Sequence, residues 1–334
     1  MKFYNSYEYM RDVVVKKEPS LRFKGGDFNE WQKEAYAKLW ELLGLDLFEK
    51  CDDDFSITET KDKGDYTQFD FEFQTEEGYY ARGSFLRPKN IKGTVPAVIC
   101  LQGHSTGMHI SLGEAKFNGD DKSIAGGRDF AVQAVKEGYC GVTLEQRYMG
   151  SAGQDEKGNA ECIDYYSKTD PTLLMGRCAI GERVWDIMRL IDVLEKHFAD
   201  VVDVEKITCM GNSGGGTATF YASAIEERIF LSVPSCSVCT YEASIIAMGH
   251  CDCNYIPSVR RYFNMGDIGC LIAPRNLIVV CGDEDTIFPL EGVKESFEII
   301  KNVYEKDNVK LIIGRGGHKF YPDDAWPVIK EMLK

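Results

Sequence analysis

Short apolar runs alternate with amphipathic segments from Val95 almost to the end of the chain, and this alternation constrains the fold more than any other feature. The apolar runs are Ala97–Leu101, Gly141–Leu144, Ile207–Met210, Ile229–Val233, Leu277–Cys281 and Val309–Ile313. The stretches near 127–137, 181–197, 214–226 and 291–304 have helical periodicity. This alternation predicts an α/β fold with a mostly parallel central sheet that is covered by helices on both faces. Sheets of this kind carry their functional residues at the carboxyl ends of the strands.

The segment before Val95 has a different pattern. Asp27-Phe28-Asn29-Glu30 has the form of a helix-capping box, and the apolar residues behind it recur at helical spacing. We therefore expect residues 1–65 to form a helical N-terminal extension and residues 66–334 to form the α/β domain. Two candidate strands, Gln68–Phe73 and Tyr79–Leu86, suggest an antiparallel start to the sheet.

Composition and charge narrow the classes of partner and the compartment. The 334 residues carry a formal net charge of −14, so we expect no nucleic-acid partner. No stretch is long and apolar enough to cross a membrane, and Met1–Ser20 lacks the apolar core of a signal peptide. Several of the twelve cysteines lie inside apolar runs, which fits reduced, buried thiols. These features predict a cytoplasmic protein with no membrane partner, and they leave open whether it forms a homo-oligomer.

Two segments match the G-x-S-x-G pattern of a nucleophile elbow, a sharp turn from a strand into a helix. Ser213 lies in the segment Gly211–Gly215, between the apolar run Ile207–Met210 and a stretch of small residues that can begin a helix. Ser105, in Gly103–Gly107, also follows a strand, but the residues after it have no helical period. The context therefore predicts Ser213 as the nucleophile.

The second match has a different predicted role. In an acyl-transfer site, backbone N–H groups bind the negative charge that develops on the carbonyl oxygen. The residue after the nucleophile, Gly214, supplies one such group, and the loop after an early strand supplies the other. We therefore assign the loop at His104 and Ser105 to the oxyanion hole, with His104 and Gly214 as its donors.

The base and the acid follow from chain order, which in this type of site is serine, then Asp or Glu, then His. Of the five histidines only His250 and His318 follow Ser213, and His318 comes directly after the last apolar run, so it is the predicted base. Three carboxylates follow the preceding run. The spacing G-x-x-D-x-x-x-P selects Asp285 as the acid and leaves Asp283 as the alternative.

The stretch 234–272 is long for a connection, so we expect a lid-like insertion there. It contains Cys236-x-x-Cys239 and Cys251-x-Cys253 beside His250, which together allow a zinc site. We favour packed thiols, because C-x-C is uncommon in structural zinc sites and a serine hydrolase needs no metal. We therefore expect a site that acts on a small-molecule ester and uses neither a metal nor a cofactor.

Several of these motifs together resemble one family. The segments are Leu101–His104, Gly211–Gly215, His250–Pro257, Leu271–Arg275 and Gly317–Tyr321. They are similar to the acetyl xylan esterase-like branch of the α/β-hydrolases, which is related to the dienelactone hydrolases, and the similarity spans roughly residues 30–334. The resemblance implies an α/β-hydrolase fold and a Ser-His-Asp esterase that works through an acyl-enzyme and deacetylates carbohydrates or other small esters. Many relatives have His-Gly where this chain has Gln102-Gly103.

Two other functions stay open. A lactone or dienelactone-type hydrolase would use the same fold, but such enzymes often have a cysteine nucleophile, and Ser213 counts against that version. A catalytically silent binding protein on a hydrolase scaffold would not need the complete set of Ser213, Asp285 and His318.

Overall fold

One sheet runs through the computed structural model, which describes residues 2–153, 170–251 and 254–334. Its nine strands within these ranges are β1 (Ser56–Asp62), β2 (Tyr66–Glu76), β3 (Tyr79–Pro88), β4 (Val95–Leu101), β5 (Cys140–Leu144), β6 (Val202–Asn212), β7 (Ile229–Ser235), β8 (Asn276–Gly282) and β9 (Val309–Gly314). The strand order is β1-β2-β3-β5-β4-β6-β7-β8-β9. The pairs from β1 to β5 are antiparallel, and the pairs from β5 to β9 are parallel. The predicted mostly parallel sheet with an antiparallel start is confirmed.

Helices cover both faces of this sheet. The helices of seven or more residues in the described ranges are α1 (Phe28–Leu42), α2 (Phe130–Lys136), α3 (Ala179–His197), α4 (Gly214–Ile225), α5 (Leu290–Lys301) and α6 (Pro322–Met332). Shorter helical segments are Ser6–Tyr9, Met10–Val14, Leu45–Leu47, Met108–Ile110, Asp120–Ser123, Ile124–Arg128, Gly150–Ala152, Asp170–Leu174, Val259–Tyr262, Met265–Gly269 and Cys270–Ile272. No helix among the described residues is long and apolar enough to span a bilayer.

The two faces of β4 show how the layers form. Because side chains alternate along a strand, Ile99 and Leu101 join one buried cluster, while Val98 and Cys100 join another. The first cluster includes apolar residues of α1, α3, α4 and α5, and the second includes those of α2 and α6. The central strands are thus buried on both sides, which explains why they appear in the sequence as continuous apolar runs.

The N-terminal region is helical only in part. The Asp27 side chain caps α1 by accepting hydrogen bonds from the backbone N–H groups of Asn29 (2.9 Å) and Glu30 (3.2 Å). Residues 56–62, which we expected to belong to a helical extension, instead form the edge strand β1. Their side chains are almost all exposed, so they show no apolar period that would indicate a strand. The domain division at residue 65 stays a prediction, as does the lid-like role of 234–272.

The loop after β5 is anchored by a buried arginine. Arg147 donates to both carboxylate oxygens of Asp186 on α3, each at 2.8 Å, and to Glu76 at the end of β2 at 2.6 Å. A bidentate hydrogen-bonded pair of this kind fixes the orientation of the guanidinium as well as its position. The end of β5 is therefore held rigidly against α3 and β2.

Glu145, directly after β5, is a buried carboxylate between two loops. Its Oε1 accepts from the Met108 N–H (3.1 Å), and its Oε2 accepts from the N–H (3.2 Å) and the hydroxyl (3.1 Å) of Ser151. Burial raises the pKa of Glu145 to about 7, and the hydrogen bonds from Ser151 and Met108 offset only part of that effect. Glu145 thus ties the loop that contains His104 to the turn after Met149.

Glu145 gives a pH-dependent stability that Glu145→Gln should remove. Its folded pKa lies above the value of the unfolded chain, so its ionisation disfavours the folded state as pH rises from about 4.5 to about 7. We expect the unfolding free energy of Glu145→Gln, relative to wild type, to rise by up to about 3 kcal/mol between pH 4 and pH 8. Urea denaturation across that range measures the difference, and Glu77→Gln, an exposed site with the same charge change, is the control. A pH-independent difference would contradict the burial of an ionisable carboxyl group.

Candidate active site

Ser213 lies at the sharp turn between β6 and α4. Its backbone has φ 58° and ψ −124°, and this positive φ is unfavourable for a residue other than glycine. The Ser213 N–H donates to the carbonyl of Ser235 at the end of β7 (2.9 Å), and the Ser213 carbonyl accepts from the Thr217 N–H (2.8 Å), which starts α4. The chain is thus held on both sides of the strained residue.

Glycines make this turn possible because the backbones approach too closely for any side chain. A Cβ atom at Gly215 would lie 2.2 Å from the carbonyl oxygen of Leu101, at the end of β4. A Cβ atom at Gly211 would lie 2.5 Å from the carbonyl carbon of Gly215. The G-x-S-x-G pattern therefore reflects direct packing of α4 on β4 and β6.

His318 and Asp285 form a hydrogen-bonded pair in the loops after β9 and β8. The distance from His318 Nδ1 to Asp285 Oδ2 is 2.8 Å. The second oxygen of Asp285 accepts from the backbone N–H groups of Ile287 (2.8 Å) and Phe288 (3.1 Å). Asp283, the alternative acid, instead accepts from the Gly316 N–H (2.7 Å). Asp285 is thus the carboxylate that contacts the imidazole.

The surroundings keep Asp285 ionised and leave one nitrogen of the His318 imidazole able to accept a proton. Burial alone would raise the pKa of Asp285. The hydrogen bond from His318, the positive charge of the protonated His318 ring and the hydrogen bonds from two backbone N–H groups outweigh that effect. The pKa of Asp285 therefore lies below its usual value. His318 Nε2 is buried and has no hydrogen-bond partner among the described residues. The ring therefore presents Nε2 as a proton acceptor while Asp285 fixes Nδ1.

The end of β7 joins these two parts of the site. Ser235 binds the Ser213 backbone, and the next residue, Cys236, has its Sγ within 4.8 Å of ligand atoms of both Asp285 and His318. Burial, reinforced by the nearby charge of Asp285, raises the pKa of Cys236 to about 12, so the thiol stays protonated. It donates to the Lys319 carbonyl (3.2 Å) and packs beside the histidine loop. The sequence placed Cys236 in a possible zinc motif and did not indicate its position beside Asp285 and His318, although a place directly after a parallel strand is a usable signal.

The structure also brings the loop after β4 to the start of α4. The carbon at position ε1 of His104 would lie 3.3 Å from a Cβ atom at Gly214, and the terminal methyl group of Met149 would lie 3.0 Å from it. The His104 side chain therefore lies beside Gly214. The side chain of Gln102 turns away from this point, since its amide donates to the Ser111 hydroxyl (2.6 Å) and the Arg128 carbonyl (2.7 Å). Gln102 thus stabilises the loop after β4 through these two hydrogen bonds.

Residues of the 234–272 stretch and of the loop after β8 form one wall of the site. The Phe288 ring stacks on His318 with 5.9 Å between ring centres, and His250 meets Phe288 edge-on at 5.7 Å. Asn254 contacts His250 Nδ1 (3.0 Å) and accepts from the Thr217 hydroxyl on α4 (3.4 Å). Sequence reasoning did not assign these contacts, because the stretch has no regular period.

The cysteines considered for zinc have separate surroundings. Cys236 donates to Lys319, whereas the thiol of Cys239 faces the Pro289 carbonyl (3.6 Å). Cys251 lies against His250, with 3.4 Å between Sγ and Nδ1, and Cys253 is outside the described residues. The ten described cysteines are free thiols.

Comparisons with known proteins agree with this architecture. The family model described as the Abhydrolase family matches residues 2–311. A Bacillus subtilis (strain 168) protein named "Putative hydrolase YtaP" is 26% identical over 242 residues, which cover 70% of this chain and 76% of that protein.

Solved structures with the same fold include two esterases. A Bacteroides fragilis NCTC 9343 protein described as a "putative acetyl xylan esterase" superposes with a TM-score of 0.84 at 18% identity and covers 100% of this chain and 96% of its own. A glucuronoyl esterase from Solibacter usitatus superposes with a TM-score of 0.69 at 17% identity and covers 95% and 97% of the two chains. The resemblance drawn from the sequence motifs is confirmed at the level of the fold. Given the family match over most of its length, this chain belongs to the Abhydrolase family of α/β-hydrolases.

Proposed function

We propose that this protein is a carboxylic ester hydrolase in which Ser213 is the nucleophile, His318 the base and Asp285 the residue that orients the base. One observation carries the proposal. A strained serine at a strand-to-helix turn and a hydrogen-bonded His318–Asp285 pair stand at the same edge of the sheet. Ser235 and Cys236 at the end of β7 join them.

The proposed reaction starts with attack by Ser213 Oγ on the ester carbonyl carbon while His318 Nε2 takes the hydroxyl proton. Asp285 stabilises the resulting imidazolium through its bond to Nδ1. The N–H groups of His104 and Gly214 would bind the oxyanion, and loss of one such donor typically costs roughly 10²–10³ in rate. His318 then protonates the leaving alcohol, and the acyl group stays on Ser213.

Water completes the cycle. His318, now neutral again, takes a proton from a water molecule that attacks the acyl-enzyme carbonyl, and the second oxyanion collapses to release the acid and Ser213. The strained turn keeps the partly exposed Ser213 at the N-terminus of α4 through both steps, and the positive end of the helix dipole favours the developing negative charge.

We propose acetylated carbohydrates, or other small esters, as the substrate class. The motifs shared with acetyl xylan esterase-like proteins support this choice, as does the structural neighbour described as an acetyl xylan esterase. The other neighbour is described as a glucuronoyl esterase, so the two neighbours have different descriptions on the same fold. We also propose a cytoplasmic location and a small-molecule ester as the partner.

An ester panel tests the substrate class. We expect acetate release from p-nitrophenyl acetate and from acetylated xylo-oligosaccharides, with kcat/KM above that for a glucuronate methyl ester or a lactone. Ser213→Ala should reduce turnover by roughly 10⁴-fold or more while circular dichroism shows an intact fold. Preference for the lactone would favour the dienelactone-type alternative. A folded protein that hydrolyses no ester would support the silent binding protein.

A matched pair of substitutions tests the acid. Asp285→Asn and Asp283→Asn each remove one negative charge in the same loop, but only Asp285 bonds to His318. We expect kcat to fall by roughly 10⁴-fold for Asp285→Asn and to change less than about threefold for Asp283→Asn. The measurement is steady-state hydrolysis of p-nitrophenyl acetate. The reverse order would identify Asp283 as the acid.

A further inference from the structure

The loop after β5 brings the Met149 side chain to the nucleophile turn. The terminal methyl group of Met149 would lie 3.0 Å from a Cβ atom at Gly214, whose N–H group is a proposed oxyanion donor. The Met149 side chain is 2% exposed and packs with Ala179 at the start of α3 and with Cys251 of the 234–272 stretch. Met149 therefore fills the space beside Gly214.

Contacts with the loop after β4 fix the position of this methionine. The next residue, Gly150, has no room for a side chain, because a Cβ atom there would lie 2.6 Å from the Cα atom of Gly107. The side-chain amide of Gln146 donates to the Met149 sulfur (3.8 Å) and also to the carbonyl of Gln102, directly after β4. The backbone and the side chain of Met149 are therefore both tied to the loop after β4.

The order of the strands separates Met149 from the histidine. Ser213 follows β6, and the strand order β5-β4-β6-β7-β8-β9 places the end of β5 on one side of it and the ends of β8 and β9 on the other. Met149 lies in the loop after β5, whereas Asp285 and His318 lie in the loops after β8 and β9. Because the carboxyl ends of parallel strands meet at one edge of the sheet, Met149 and the His318–Asp285 pair flank Ser213 from opposite sides.

This arrangement gives each half of an ester its own side of the site. His318 has to protonate the leaving alcohol, so the alcohol lies on the histidine side. The carbonyl oxygen points to the backbone donors at Gly214 and His104. The acyl substituent takes the remaining direction, away from His318 and toward Met149.

We propose that Met149 closes the acyl side of the site and restricts the substrate to short acyl groups, with acetyl favoured over butyryl and longer chains. This role of Met149 rests on the proposed ester hydrolysis at Ser213 and adds to it the residue that sets acyl length. One extra methylene group in an apolar pocket typically changes kcat/KM by roughly 10–200-fold. A buried side chain that is tied to the neighbouring loop is a wall that can discriminate in this way.

Steady-state hydrolysis of p-nitrophenyl acetate, butyrate and hexanoate by the full chain tests this role. For wild type we expect kcat/KM to be roughly tenfold or more lower for butyrate than for acetate, and lower still for hexanoate. Met149→Ala removes the sulfur and the methyl group and should raise the butyrate-to-acetate ratio of kcat/KM by roughly tenfold or more. Met332→Ala, the same truncation at the end of α6, should leave this ratio unchanged. The neighbouring Leu333 carbonyl accepts from Lys206 near the start of β6, at the opposite end of that strand from Ser213.

A smaller truncation and the wild-type measurement keep the test decisive if Met149→Ala fails to fold. Met149→Val should shift the ratio in the same direction by a smaller factor, and circular dichroism checks the fold of each variant. The proposed role is overturned if wild type hydrolyses hexanoate as well as acetate, or if a folded truncation of Met149 keeps the wild-type ratio. A folded wild type that hydrolyses no ester would overturn the esterase function and this role together, so the two failures are distinguishable.

Discussion

The backbone conformation of Ser213 is the constraint on which the rest of the site depends. A residue with a side chain at φ 58° and ψ −124° costs about 1–3 kcal/mol, so it persists only where the surroundings impose it. Here the surroundings are β4, β6 and the first turn of α4, which pack so closely that Gly211 and Gly215 have no room for a Cβ atom. That packing holds Ser213 at the turn between β6 and α4 and brings the His104 loop beside Gly214.

Sheet register places the other half of the site within reach. Asn212 pairs with Ser235 across β6 and β7, Ser235 pairs with Val280 across β7 and β8, and Gly282 pairs with Gly314 across β8 and β9. The strands therefore end at one level, and the loops that follow them meet there. A shift in the β6–β7 or β7–β8 pairing would separate Asp285 from Ser213, and a shift in the β8–β9 pairing would separate His318 from Asp285.

Local patterns were enough to predict the fold and to choose candidate residues, but contacts between distant segments were not. The apolar runs located the buried strands because both of their faces pack against helices, and the glycines around Ser213 reported a close approach within one turn. The edge strand β1 has no buried face, so its sequence carries no such signal. Cys236 and Glu145 gain their surroundings from loops far along the chain. A cavity forms where residues 10–18 meet residues 241–246 and 254–261, which no short window of sequence can indicate.

Covalent labelling by a fluorophosphonate measures most directly whether the strained serine is the activated one. The reagent reacts with a serine whose hydroxyl proton is taken by a base, and peptide mass spectrometry locates the adduct. We expect one adduct, on the peptide that contains Ser213, and its loss in His318→Ala. An adduct on Ser105, or a folded protein that takes up no label, would contradict it.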